Sequence, residues 1–206
     1  MIEDLDQSMS RTRQLRFRIV ASCVRLIAPL IIVGTADFGR AEIISTQPTR
    51  GVFGLKIGLA SRANIRGDLH LRTEIGSSAQ VYADFPLFSD FFFTTAFDFY
   101  YVEIVRQNDI MIEGSLGLKK SFALSRANMK LIPGASLGYA YLPEIGVMNS
   151  TDYIVLKLFF ESHFAIDPRK AWVAEVAVLG APWGGNPTYD ISYGPAFLVR
   201  VGLAFK

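Results

Sequence analysis

Apolar and polar side chains alternate along most of the chain from Gly51 onward. In residues 91–101 aromatic side chains take nearly every odd position, whereas Asp98 lies at an even position with Thr94 and Ala96. A period of two residues is typical of a β-strand with two different faces, because successive side chains point to opposite sides. The alternation recurs with turn-forming residues between its copies, and it predicts eight strands. These cover residues 51–60, 69–85, 91–103, 109–120, 129–142, 153–166, 171–180 and 192–205.

Two opposite barrels fit strands of this kind: a soluble barrel with an apolar interior and a membrane barrel with an apolar exterior. The apolar face carries many Phe, Tyr, Leu and Trp side chains, and an eight-stranded interior is only just wide enough for side chains to fill. The other face mixes Gly, Ala and Ser with a few charges of both signs, which suits a narrow lumen. We therefore predict an all-β, eight-stranded antiparallel up-and-down transmembrane β-barrel, closed so that its backbone groups are paired. A soluble ligand-binding barrel of the lipocalin type is an alternative.

Aromatic residues near the strand ends resemble the interfacial girdles of membrane barrels. They are Tyr101, Tyr141, Trp172, Tyr193 and Phe205. With this pattern, residues 51–205 resemble the small bacterial outer-membrane β-barrel proteins of the OmpA transmembrane domain and OmpX type. The resemblance implies a monomer in the cell outer membrane, in contact with outer-membrane lipid and lipopolysaccharide. It also implies recognition by the barrel-assembly machinery, which usually reads a terminal aromatic residue, and here Phe205 is followed by Lys206.

The leading segment predicts export. Residues 1–36 combine a cationic stretch, the nine-residue apolar run "LIAPLIIVG" and a small-residue cleavage site ending at Ala36. The apolar run is too short to span a bilayer as a helix, which takes about 20 residues. We expect a cleaved signal peptide over 1–36, a short periplasmic segment over 37–50 and the barrel over 51–206. An uncleaved anchor, and lipidation at Cys23, are alternatives.

The charge balance argues against one class of partner. From Asp37 onward the chain has sixteen basic and sixteen acidic residues, so nothing in its net charge favours binding to nucleic acid. Cys23 is the only cysteine of the chain, which suits an oxidising compartment for the remainder.

Several charged residues share the polar face of the strands, mostly near mid-depth. Since buried charges need partners, we interpret them as a network of ion pairs that fills the lumen; a charge-lined ion path is the alternative. The predicted network comprises Lys56, Glu74, Asp98, Glu113, Lys157, Glu161, Glu175 and Arg200.

No motif for catalysis, metal or cofactor binding stands out. Glu161 and His163 share a strand face, but two ligands without a third are a weak metal signal. Ser162 is adjacent to His163 and points to the opposite face, so the two do not match the His-x-Ser pair of lipid A deacylases. We predict no metal, no cofactor and no enzymatic activity.

Loops supply the remaining candidates, because loops often carry function. Tight turns are predicted at 86–90 and 167–169, and longer loops at 61–68, 143–152 and 181–191. Arg62 and Arg66 in the first long loop could contact lipopolysaccharide phosphates, and Trp183 is a candidate for contact with an external partner. Pro133 lacks an N–H to donate within its strand, so we expect a β-bulge there.

These observations predict a non-enzymatic outer-membrane barrel with a structural, surface-interaction or narrow-channel role and long extracellular loops. The rival functions are a lipid-modifying outer-membrane enzyme and the soluble ligand-binding barrel.

Overall fold

The computed structural model describes residues 51–124, 129–145 and 148–206. The predicted signal peptide over 1–36 and the segment over 37–50 lie outside the described residues. Eleven strands are present within the described ranges. They are β1 (Val52–Ala60), β2 (Asn64–Gly67), β3 (Leu71–Arg72), β4 (Gly76–Pro86), β5 (Phe91–Ile104), β6 (Gln107–Lys120), β7 (Phe122–Leu124), β8 (Met129–Leu142), β9 (Thr151–Asp167), β10 (Lys170–Gly185) and β11 (Asp190–Phe205).

Eight of these strands form a closed barrel. The order is β1, β4, β5, β6, β8, β9, β10 and β11, each antiparallel to its neighbours, and β11 pairs back onto β1. At this seam Gly58 and Gly202 allow the two backbones to approach closely: a Cβ on either glycine would collide with a backbone carbonyl oxygen, of Val199 or of Leu55. The prediction of an eight-stranded antiparallel barrel is confirmed.

Large apolar side chains cover the outside of the barrel. Phe97 is 62% exposed and Val199 60% exposed, although both lie in the middle of their strands. Trp172 and Trp183 lie eleven residues apart on β10, which at about 3.3 Å per residue and a tilt of about 40° spans roughly 28 Å. A hydrocarbon belt of about 25 Å fits between them. The apolar exterior rules out the soluble barrel with an apolar interior.

Within the described residues, no helix is long and apolar enough to cross a membrane.

The two ends of the barrel differ in their connections. We call the end where β1 begins and β11 finishes the terminal end, and the opposite end the loop end. At the loop end, residues 61–75 carry β2 and β3, and β2 pairs with β11 through Ile65 and Tyr193. On the other side of the same segment, the Glu74 amide donates to the Glu103 carbonyl at 3.0 Å. The segment is therefore bonded to the wall on both sides.

Two predictions about connections and strand limits are wrong. Residues 69–75 belong to this loop-end segment, and the strand predicted over 69–85 begins at Gly76. The predicted loop over 181–191 is mostly strand, because β10 runs to Gly185 and β11 starts at Asp190. Val105 and Arg106 join β5 and β6 with two residues at φ 49° and 64°, a left-handed pair suited to a tight hairpin. Among the described residues, the long loops predicted for this end are thus reduced mainly to 61–75, 143–145 and 148–150.

The β-bulge predicted at Pro133 is not found. The β8–β9 register runs without a shift from Met129 to Leu142. On the other side, pairing with β6 ends at Gly134 and pairing with β7 begins at Leu131. On that side Pro133 has no partner residue in either β6 or β7.

Register shifts lie instead at the start of β10, between Lys170 and Ala171, and in the loop-end half of β10 and β11, on either side of Ala181. There the inward positions of β11 change from Ile191 and Tyr193 to Ala196 and Leu198. A β-bulge has this effect because one extra residue reverses the alternation. Tyr193 consequently lies inside the barrel, 8% exposed, and its prediction as an interfacial girdle residue is wrong.

Candidate functional site: a charge cluster inside the barrel

The barrel interior holds nearly all the buried charge of the described residues. We define the interior charge cluster as the buried Asp, Glu, Lys, Arg and His side chains there. Its members are Lys56, Asp84, Asp98, Glu113, Lys119, Lys157, Glu161, His163, Glu175 and Arg200. Seven of the eight residues predicted from the sequence belong to it. Glu74 does not: it is exposed on the loop-end segment and pairs with Arg62 at 2.7 Å.

Two pairs of carboxylates lie directly opposite each other on neighbouring strands. Asp98 on β5 faces Glu113 on β6, and Glu161 on β9 faces Glu175 on β10. Like charges at directly opposed positions are destabilising. Each pair therefore needs a cation between its two carboxylates. A lysine from another strand supplies this cation in each pair.

Lys157 on β9 lies between Asp98 and Glu113. Its Nζ is 2.8 Å from Asp98 Oδ2 and 3.5 Å from Glu113 Oε1. The Gln80 amide donates to both Asp98 oxygens at 3.0 Å, and the Tyr100 hydroxyl donates to Glu113 at 2.8 Å. Charge-assisted hydrogen bonds of this kind are the stronger ones, so both carboxylates of the first pair are compensated.

Lys56 on β1 performs the same role for the second pair. Its Nζ is 2.6 Å from Glu161 Oε1 and also contacts Glu175. Lys119 adds a second cation to Glu161 at 3.0 Å and reaches Asp84 at 3.0 Å. The Tyr82 ring lies between the two lysines, 4.4 Å from Lys56 Nζ and 4.3 Å from Lys119 Nζ. A ring face attracts cations, which helps hold two like charges in one small volume.

Arg200 joins the two halves of the cluster. One guanidinium nitrogen is 2.6 Å from Asp98 and 3.4 Å from Glu175, so it bridges one acid from each carboxylate pair. Its Nε donates to the Ser78 hydroxyl at 3.1 Å. Arg200 is 1% exposed, and burying a charge is costly unless it is paired. The cluster is therefore one connected network of five acids, four permanent cations and His163.

The sequence-based set missed Asp84, Lys119 and His163 as members of the network. The alternation places all three on the polar face, but they are closer to the terminal end than the other members. The neutral partners Gln80, Ser78, Tyr82 and Tyr100 were also missed. Whether a residue is at an odd or an even position of its strand predicts that its side chain lies inside the barrel. It does not predict which side chain on another strand will be its contact.

His163 belongs to the network, and the adjacent Ser162 does not share its face. Its Nε2 is 2.9 Å from Glu161 Oε2, whereas Ser162 lies on the lipid-facing side between two inward residues. The described residues contain no group of three or more His, Cys, Asp or Glu side chains able to hold a metal ion.

The interior of the loop-end half is apolar. Its side chains form one cluster that reaches from the middle of the strands to the loops. Ala63 and Ile65 from the loop-end segment, and Ile145 and Met148 from residues 143–150, cover it at 2% exposure or less. The charges therefore line only part of the barrel length, and a packed apolar region lies between them and the loop end.

Solved structures that are similar to this chain include outer-membrane proteins. Neisserial surface protein A (NspA) matches with a TM-score of 0.55 at 17% identity, covering 76% of this chain and 99% of that chain. Outer membrane protein OprG from Pseudomonas aeruginosa matches with a TM-score of 0.49 at 10% identity, over 75% of this chain and 95% of that one. Ail, the attachment invasion locus protein of Yersinia pestis, matches with a TM-score of 0.41 at 15% identity, over 76% and 99%. The protein has the fold of a small outer-membrane β-barrel.

No protein-family model matches the chain, and no curated protein sequence does. At 17% identity or less the structural likeness shows the fold and nothing about activity. Together with the apolar exterior, it confirms the predicted location in the outer membrane.

The surface candidates are only partly where the sequence suggested. Arg62 and Arg66 are exposed at the loop end, and Arg62 is bound to Glu74. His70 is exposed on the same segment. Trp183 is not on an exposed loop: it is half-buried on β10 and pairs with the lipid-facing Ile154. Its position fits an interfacial aromatic residue better than a contact with an external partner.

Proposed function

We propose that this protein is a non-enzymatic outer-membrane barrel that acts at the cell surface through its loop end, with lipopolysaccharide phosphates as its partner there. The supporting observation is the packed interior: the described residues enclose a salt-bridged cluster beneath an apolar core capped by the loop-end segment. Such an interior stabilises the barrel and leaves its outer surface as the place for interaction. The name of one structurally similar protein, Neisserial surface protein A, agrees with a surface role.

The loop-end segment over 61–75 carries three arginines and two acids. Ile65 is buried and Leu71 packs on the apolar core, so the alternating neighbours Arg66 and Arg72 point away from it and are exposed. The acidic Asp68 on this segment accepts a hydrogen bond from the Asp190 amide at 2.8 Å. Guanidinium groups bind phosphate oxygens through two parallel hydrogen bonds, so Arg66 and Arg72 are the proposed phosphate contacts.

Replacing both Arg66 and Arg72 by glutamine is expected to weaken binding to lipopolysaccharide. Each lost charge-assisted hydrogen bond is worth about 1.5 kcal/mol or more, or roughly tenfold in affinity. Binding of the refolded barrel to bisphosphorylated lipid A can be measured by titration, with dephosphorylated lipid A as the reference ligand. Arg169→Gln, in the turn at the terminal end, is the matched control and should bind as wild type does. Equal binding by the double variant and wild type would count against the proposed partner.

The closed interior predicts that the wild-type barrel does not conduct ions. In planar bilayers we expect no steady conductance steps after insertion, because a packed apolar region interrupts any charge-lined path. A porin added to the same bilayer supplies the positive control. Reproducible steps from the wild-type protein, altered by Lys157→Met, would support the narrow-channel function instead.

A further inference from the structure

A cavity of about 170 Å³ opens at the terminal end, away from the proposed lipopolysaccharide surface. It lies where β7 and the start of β8 extend the wall below the end of β6. Among the described residues, its lining includes Leu124, Met129, Lys130, His163 and Lys206.

The polar part of this lining is entirely basic. Lys130 and Lys206 both border the cavity, and His163 lies at its inner side. None of the described lining residues is acidic. Glu161, which bonds His163, already contacts Lys56 and Lys119 within the interior charge cluster. The two lysines repel each other, and Asp90, which lies outside this lining, attracts Lys130 less strongly than Lys206 repels it, so an anion between the lysines would be stabilised.

The apolar part of the lining leads to the membrane side. Leu124 pairs with Met129, and Leu124 is 39% exposed. By alternation, Leu131 and Met129 lie on the lipid-facing side of β8, whereas Lys130 points inward. A molecule that places an anionic group between the lysines can therefore lay an acyl chain against Leu124 and Met129.

We propose that this cavity binds the phosphate group of an anionic phospholipid, with Lys130 and Lys206 as its ligands. A soluble phosphate would satisfy the two lysines but leave the apolar wall uncovered. The continuity between the basic cavity and the lipid-facing wall favours the lipid as the source of the phosphate. In the outer-membrane orientation, with the termini in the periplasm, this is a phospholipid of the inner leaflet.

Native mass spectrometry of the refolded full-length barrel in detergent tests the site. Phosphatidylglycerol should be retained by the wild type as a one-lipid adduct, in preference to the zwitterionic phosphatidylcholine. The Lys130→Gln/Lys206→Gln variant should lose this preference and at least tenfold of the adduct. Lys170→Gln, on the same end but outside the cavity lining, should retain the adduct. Far-ultraviolet circular dichroism and the gel shift on boiling check that each variant is folded.

Competition separates the two sources of phosphate. Glycerol 3-phosphate should fail to displace phosphatidylglycerol at concentrations a hundredfold above the lipid. Displacement at equal concentration would overturn the lipid assignment. Adduct formation that is the same in wild type and the Lys130→Gln/Lys206→Gln variant would overturn the site. Because the loop-end arginines are unchanged in these variants, the result does not depend on whether lipopolysaccharide binds there.

Discussion

Replacing Arg200 by methionine should destabilise the barrel by about 3 to 5 kcal/mol. Arg200 is the link between the two carboxylate pairs, in contact with both Asp98 and Glu175. Removing one partner of a buried ion pair is costly because the remaining charges stay buried without compensation. The cluster would keep five acids against three permanent cations. Urea unfolding of the refolded protein in lipid vesicles, followed by tryptophan fluorescence, measures the change.

Two further variants separate the loss of pairing from the loss of an arginine. Arg106→Met, in the exposed hairpin between β5 and β6, should change the unfolding free energy by no more than about 0.5 kcal/mol. Adding Glu175→Gln to Arg200→Met should recover part of the lost stability, because it removes one of the uncompensated charges. If Arg200→Met is as stable as Arg106→Met, the interior charge cluster is not an important source of stability.

The faces of the barrel strands could be predicted from the sequence because burial follows a period of two. Phe97 and Phe99 point to lipid and Asp98 and Tyr100 point inside, as alternation requires. This works for any strand whose alternation is unbroken. The alternation assigned eight charged residues to the interior, and seven of them lie there.

Which residues face each other on neighbouring strands could be predicted only where a turn fixes the register. The two-residue turn at Val105–Arg106 sets Asp98 opposite Glu113. The length of this turn therefore predicts that the two residues face each other. Glu161 lies opposite Glu175 only because the β9–β10 register shifts by one residue between Lys170 and Ala171. Such irregularities carry no reliable sequence signal.

The loop-end errors have a related cause. Tyr193 keeps the parity of the lipid-facing residues but lies beyond a register shift that turns it inward. Glu74 continues the alternation of β4, yet the chain leaves the barrel wall before Gly76 and forms the separate β2–β3 hairpin. In both cases the alternation in the sequence predicts one face of the strand, and the strand pairing at the loop end places the side chain elsewhere.

Phe97→Lys tests the membrane assignment itself. Phe97 lies in the middle of β5, pairs with Val81 and Gly114, and is 62% exposed to the surroundings of the barrel. A lysine near the bilayer midplane costs about 2 to 4 kcal/mol, and the cost falls to about 0 to 1 kcal/mol near the interface. Phe53→Lys, at the start of β1 and 54% exposed, therefore serves as the matched control at similar exposure.

The expected result is a difference of about 2 kcal/mol or more between the two lysine variants in vesicle unfolding. Phe97→Leu should remain close to wild type, because it keeps an apolar side chain against lipid. Equal costs for Phe97→Lys and Phe53→Lys would mean that depth in the bilayer does not govern the energetics of this face. That outcome would contradict the outer-membrane placement, since an aqueous exterior would treat both positions alike.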